Sequence, residues 1–225
     1  MKIAAALLLT SVIAVVATGS STLQYKATNK ATGEPGGIRF DKEIGLNYSK
    51  QVLATASSFI WCTLGQASPQ ARKNVTVITL TVESMSGIAY TIGNEIHMSS
   101  DYIGNYTGDV RTEFTGIMYH ETTHVWQWFG DGKAPSGLIE GIADYVRLKA
   151  GYAPANWVKP GEGRNWDQGY DVTARFLDYC NEKRNGFVAE LNAQVKSGYS
   201  DDCFKKLLGK SVDKLWKEYK AQYGG

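Results

Sequence analysis

The sequence predicts an α+β fold: a small mixed or antiparallel sheet followed by a mostly helical C-terminal half. Two observations carry this reading. Every strand-like segment falls before residue 100, and from Asp109 onward helical spacing dominates. Strands first and helices after separate an α+β domain from an alternating βαβ one. A length of 225 residues suits one domain with a sizeable core.

Residues 1–19 read as a secretory signal. Lys2 supplies a positive start, Ala4 to Ala17 is apolar, and Ala17-Thr18-Gly19 offers small residues for cleavage. The apolar run is short for a membrane span, and no basic cluster follows it. The folded domain is therefore expected over residues 20–225. Ser20 to Gly37 is polar and reads as a tail or first strand, closing in a turn at Gly33-Glu34-Pro35-Gly36-Gly37. Asp41 to Leu64 reads as one helix. Tyr48, Val52, Phe59 and Ile60 recur near helical spacing, Asp41 is placed to cap it, and Asp41 and Glu43 are charges suited to a helix start.

Val75 to Val82 alternates β-branched residues and reads as a strand. A turn at Ser84-Met85-Ser86-Gly87 leads to Ala89–Ile92. Gly93-Asn94 then turns the chain into extended Glu95–Ser99. Asp109 to Phe129 is a helix with the apolar stripe Val110, Phe114, Ile117, Met118 and Val125. The glycine-rich segment Gly130–Gly137 ends it, and Leu138 to Ala150 is a second helix. After a loop over Tyr152–Gly163, helices are expected at Asp167–Asn181, Gly186–Lys196, Ser200–Leu208 and Ser211–Tyr223. Internal repeats and low-complexity segments are absent from the sequence.

A formal net charge of +2, with no basic stripe, gives no basis for a nucleic-acid partner. After the signal, no stretch is long and apolar enough to cross a bilayer, so no membrane partner is expected. The 12% aromatic content fits a protein that binds peptide or sugar and equally fits a plain core. Three cysteines, Cys62, Cys180 and Cys203, enter an oxidising compartment. One pair and one leftover thiol is the simplest arithmetic, and Cys180 with Cys203, closer in sequence, is the favoured pair. Their count and spacing do not suit a cysteine zinc cluster. Asn47, Asn74 and Asn105 open N-glycosylation triplets, so a glycoprotein is expected where the host glycosylates.

The chemistry concentrates in His120-Glu121-Thr122-Thr123-His124, which holds two of the three histidines. On a helix, positions i and i+4 share a face about one turn apart, so both imidazoles can close on one metal ion. Zn²⁺ is the usual occupant. Glu121 points about 100° round the helix, beside the metal, where it can take a proton from the attacking water. A catalytic zinc needs a third protein ligand. Glu140 and Asp144 lie on the next helix, again four apart. The assignment drawn is Glu140 on zinc, with Asp144 behind it accepting the free ring N–H of a ligand histidine, His120 before His124. The reverse, Asp144 on zinc, stays open. A chance cluster on a solvated helix is the plainer reading, and the scarcity of histidine argues against it. A closed structural zinc site normally uses Cys, and none is near.

His-Glu-x-x-His-x-Trp, ending here at Trp126, resembles the glutamate-zincin peptidases. A far closer resemblance is to the plant basic secretory protein family of peptidases. It rests on Pro35 to Phe40, His120 to Trp128, Gly137 to Ala150, Trp157 to Gly161, Trp166 to Leu177 and Gly209 to Asp213, in order and across nearly the whole chain after the signal. The resemblance implies a secreted zinc peptidase of zincin-like architecture, linked to plant defence. Related aminopeptidases place a tyrosine near Tyr170 as the donor to the tetrahedral oxyanion, although their register falls nearer Trp166. Tyr170 is the expected donor, and His97, the spare histidine, is the alternative. Trp126 and Trp128 are read as core and cleft wall, and Trp157 and Trp166 as lining substrate subsites or anchoring loops.

The reading is a secreted, monomeric zinc metallopeptidase. His120, His124 and Glu140 hold Zn²⁺, Glu121 is the general base, and a peptide or protein substrate lies extended along the sheet edge. The main rival is a secreted defence or binding protein that keeps the zinc without turnover. A carbohydrate-binding module has only the aromatic content behind it.

Overall fold

The structure, a computed structural model, describes residues 23–224. The expected signal segment, residues 1–19, lies outside them. The elements are β1 (Gln24–Asn29), α1 (Pro35–Glu43), α2 (Leu46–Thr63), β2 (Val77–Glu83), β3 (Ala89–Ile92), β4 (Glu95–Ser99), α3 (Ser100–Asn105), α4 (Val110–Trp126) and α5 (Ser136–Lys149), then α6 (Tyr170–Lys183), α7 (Phe187–Val195), α8 (Asp202–Leu208) and α9 (Val212–Tyr223). The class is α+β, as expected.

The sheet is mixed, in the order β1-β2-β4-β3. β1 runs parallel to β2 and β2 to β4, while β3 pairs antiparallel with β4 at one edge. A parallel β1–β2 pair needs a long crossover, and α1 with α2 supplies it. Strand periodicity sorts the two faces. Ile78, Leu80, Val82, Ile96 and Met98 are buried on the face turned to the helices. Register pairs Thr91 with Ile96, so Thr91 shares that face; Tyr90 and His97, also paired, share the opposite one.

Two helices stand where the sequence reading placed one. The expected Asp41–Leu64 helix breaks at Ile44–Gly45, because Gly45 takes φ 76 ahead of α2. The Gly33–Gly37 segment read as a turn runs into α1, which Pro35 opens in the first turn, where its missing N–H costs nothing. Gly36 and Gly37 are there for close approach. A Cβ would lie 1.8 Å from the Ser100 carbonyl oxygen at Gly36 and 1.8 Å from that of Ala31 at Gly37. Asp41 therefore sits inside α1 and caps nothing, and Glu43 pairs with Arg39 at 3.0 Å near the helix end. The short α3 escaped the sequence reading; its cap is Ser99, whose hydroxyl accepts from the Tyr102 amide at 3.1 Å.

α4 is the central element. Asp109 caps it by accepting from the Arg111 and Thr112 amides, both at 3.0 Å. It packs between α2 and α5 with β3 across one face. α5 in turn packs on α6, and Gly141 sets how closely, since a Cβ there would fall 2.2 Å from Thr173 Cγ2. The C-terminal helices close a second part of the core, in which Trp166, Phe176, Phe187, Phe204 and Tyr219 meet ring to ring. The expected Cys180–Cys203 bridge is not formed. Both cysteines are buried free thiols packed as small apolar residues, and Cys62 is an exposed free thiol. Among the described residues no helix is long and apolar enough to cross a membrane. Asn47, Asn74 and Asn105 are all exposed.

Candidate metal centre

α4 and α5 cross so that one turn of each meets the other. His120 and His124 project from α4 with their Nε2 atoms 3.1 Å apart. Glu140 from α5 brings Oε2 to 3.1 Å from His120 Nε2 and 3.6 Å from His124 Nε2. Bonds of about 2.0–2.1 Å to a tetrahedral cation space their ligand atoms by about 3.3–3.4 Å. The observed triangle matches that edge length. Two neutral imidazoles and one carboxylate are also the donor set such a cation takes. Asp144 lies outside the triangle. Its Oδ1 is 2.6 Å from His120 Nδ1, the ring nitrogen pointing away from the cluster.

The partners fix charge and tautomer. Burial works against a charged His120, but the carboxylates of Asp144 and Glu140 outweigh it and push its pKa up to about 10 when a proton occupies the centre. Burial likewise works against a charged Glu140, and the two imidazoles outweigh it, holding the carboxyl well below the usual range. The cluster thus stabilises positive charge at its centre, which a divalent cation supplies in place of a proton.

Glu121 is buried on the flank of α4, and the Thr91 hydroxyl of β3 donates to its Oε2 at 2.6 Å. The edge strand and the general-base candidate are thus tied together. Gln127 ends α4 with its side-chain amide 2.6 Å from His124 Nδ1. Nε2 is the atom facing the ring, and Oε1 is buried with no hydrogen-bond partner. The two ends of a carboxamide are assigned by their bonding, and with Oε1 turned to the ring it accepts the Nδ1–H of a histidine that binds metal through Nε2. Neither Thr91 nor Gln127 figured in the sequence reading. Gln127 lies three residues past His124 and so within a helical turn of it, a signal present in the sequence. Thr91 carries none, because only strand placement brings it to Glu121.

Tyr170 stands over the cluster. Its ring lies parallel to that of His120, with centroids 6.1 Å apart. It is 57% exposed and holds φ 46, an uncommon backbone for a non-glycine residue. The Glu140 charge first, then burial and the charges of Asp144 and Glu121, raise its pKa and keep the phenol a donor. Close approach sets its place. A Cβ on Gly137 would collide with the Asp167 carbonyl oxygen at 1.7 Å, so the α5 start accepts the turn before Tyr170. Thr173 braces that turn: its hydroxyl accepts from the Gly169 amide and donates to the Trp166 carbonyl, each at 2.8 Å.

His97, the alternative donor, faces the far side of the sheet. It pairs with Glu83 at 2.6 Å and stacks on Tyr90. Trp166 is core, not cleft. Trp126 is buried with its indole N–H donating to Ser57 Oγ at 3.1 Å, while Trp157 lines the cleft. That cleft has a volume of about 960 Å³ and runs from the edge strand β3 across the cluster to Trp157. Large apolar side chains left exposed, among them Ile88, Phe129 and Tyr170, rim it.

Fold and cluster together define a class: an α+β protein with two histidines and a glutamate close enough to hold a metal ion on two facing helices, beneath an open cleft and an edge strand. Over residues 20–219 the chain matches the family of peptidases of plants and bacteria (BSP), and it belongs to that family. It is 51% identical over 59 residues to a basic secretory protease of Boswellia serrata, a match covering 26% of this chain and 67% of that relative. No solved structure matches it.

Proposed function

We propose that this chain is a secreted, zinc-dependent peptidase acting on peptide or protein substrates. The observation that carries the reading is the triangle of His120 Nε2, His124 Nε2 and Glu140 Oε2 at tetrahedral spacing, with the carboxylate of Glu121 beside it. Membership of a peptidase family and the name of the Boswellia relative support peptide hydrolysis and secretion. His120, His124 and Glu140 would hold the Zn²⁺, which would supply Lewis acidity for peptide hydrolysis. Asp144, and Gln127 with its amide oxygen turned to the ring, hold the two imidazoles in the tautomer that presents Nε2.

Glu121 removes the proton of the attacking water and returns it to the leaving amine. The Thr91 hydroxyl orients that carboxylate. Tyr170, kept protonated by the surrounding carboxylates, donates to the developing oxyanion. The substrate adds as an extended strand along β3, whose outer edge is unpaired among the described residues.

Metal analysis of the purified protein, with peptide-library cleavage measured with and without chelator, tests this. One zinc per chain and chelator-sensitive cleavage restored by zinc are expected. A protein that takes up no metal, or cuts nothing when metal-replete, sinks the proposal; zinc without turnover favours the binding-protein alternative.

A further inference from the structure

The cleft continues past the cluster. Glu113 stands seven residues before His120 on α4, and Arg147 seven after Glu140 on the antiparallel α5. Seven helical residues rise about 10.5 Å, so this pair lies about two turns along the cleft floor. Arg147 Nη2 donates to Glu113 Oε2 at 2.8 Å, and its Nε donates to the Tyr152 carbonyl at 3.0 Å. The Tyr102 hydroxyl donates to Glu113 Oε1 at 3.1 Å. Arg147 is only 8% exposed, yet it lines the cleft, and its Nη1 has no protein partner among the described residues. Gly116 makes room for it: a Cβ there would lie 2.7 Å from Arg147 Nε. Tyr106, Ile117 and Trp157 wall the same end, with the guanidinium 5.6 Å from the Trp157 ring centroid.

Resting on the peptidase reading, we propose that this end of the cleft is a specificity subsite for an aromatic side chain, tyrosine foremost, on a residue flanking the scissile bond. The distance fits. About 10 Å is three residues of extended chain, or one residue plus a long side chain reaching away from the strand. The walls are aromatic and apolar, and the floor is an ion pair with no net charge. A tyrosine ring fills the walls, and its hydroxyl oxygen accepts from Arg147 Nη1. A basic side chain meets the guanidinium and finds both Glu113 oxygens already engaged. An acidic one meets a cleft in which Glu113, Glu121, Glu140, Asp144 and Asp171 outnumber Arg147. A small side chain leaves the walls in water.

Matched peptides carrying Tyr, Phe, Ala or Lys at the residue flanking the cut test this by kcat/KM. The wild type is expected to prefer Tyr, then Phe, over Ala and Lys. Trp157→Ala should lower the Tyr-over-Ala ratio about tenfold, the order of one aromatic wall contact, and Trp157→Phe should keep it. Arg147→Lys keeps a cation beside Glu113 but loses the planar fork, so the Tyr-over-Phe ratio should fall about fivefold. Thermal melts verify that each variant is folded. A preference for Lys, or ratios unmoved in both Trp157→Ala and Arg147→Lys, overturns the subsite. A second arm needs no turnover: zinc-loaded Glu121→Gln is titrated with N-acetyl-tyrosine amide and N-acetyl-lysine amide, read by tryptophan fluorescence. Tighter binding of the tyrosine amide that weakens in Trp157→Ala supports the subsite, and equal binding of the two overturns it. A wild type that cuts nothing counts against the peptidase reading alone, because the binding arm still decides the subsite.

Discussion

Replacing Asp144 with alanine isolates the carboxylate behind His120. The bond it accepts is short, 2.6 Å, between two residues that are 4% and 8% exposed. Water cannot readily replace the lost oxygen there, so the Nδ1–H is left unpaired and the ring is freed to rotate out of the triangle. Loss of such an outer partner typically weakens metal binding 10- to 100-fold, which is about 1.4–2.8 kcal/mol. Asp144→Asn keeps an oxygen that can accept from Nδ1 and should recover most of the affinity. The assay is zinc affinity by competition with a chromophoric chelator at fixed pH and salt, beside a thermal melt to confirm folding. Activity is not required, so the result stands whether or not the protein turns over substrate. A folded Asp144→Ala protein whose zinc affinity lies within twofold of wild type would refute the reasoning, since His120 would then hold its orientation unaided.

Glu121→Gln should retain zinc, because Glu121 lies outside the ligand triangle, and should lose about 10²- to 10⁴-fold in kcat as the proton acceptor disappears; equal loss of metal would show that Glu121 serves as a ligand. Gly141→Ala places a methyl 2.2 Å from Thr173 Cγ2 between α5 and α6. It should destabilise the fold by about 1–3 kcal/mol in denaturant unfolding, and an unchanged midpoint would mean the helices part freely. Burial against the rings of Phe129 and Trp128 lowers the Lys73 pKa to about 8. The folded value lies below the ordinary lysine value, so the unfolded chain binds more protons between pH 8 and 10.5 and stability should rise with pH across that window. Lys73→Met should flatten that rise, and amine acylation near pH 8 should favour Lys73 over other lysines.

The sequence by itself determined whatever depends on spacing within one element. Residues four apart on a helix share a face whatever the helix packs on, so the His120/His124 pair and the Glu140/Asp144 pair were readable without a fold. The order of strand-like and helix-like segments likewise set the α+β class. Packing decided the rest. Glu140 joins the histidines and Asp144 falls behind His120 because of how α5 is rotated against α4, which no spacing within α5 encodes. Strand register sends Thr91 to Glu121 and His97 to the opposite face, since neighbouring strand residues point opposite ways. The break at Gly45 follows from a positive φ, and the glycines of α1 follow from the backbones they touch. The two buried cysteines pack without bonding, a choice made by the helices that carry them. Local periodicity constrains a side chain's direction along its own axis; contacts between elements come from how those axes cross, and only the assembled core defines that.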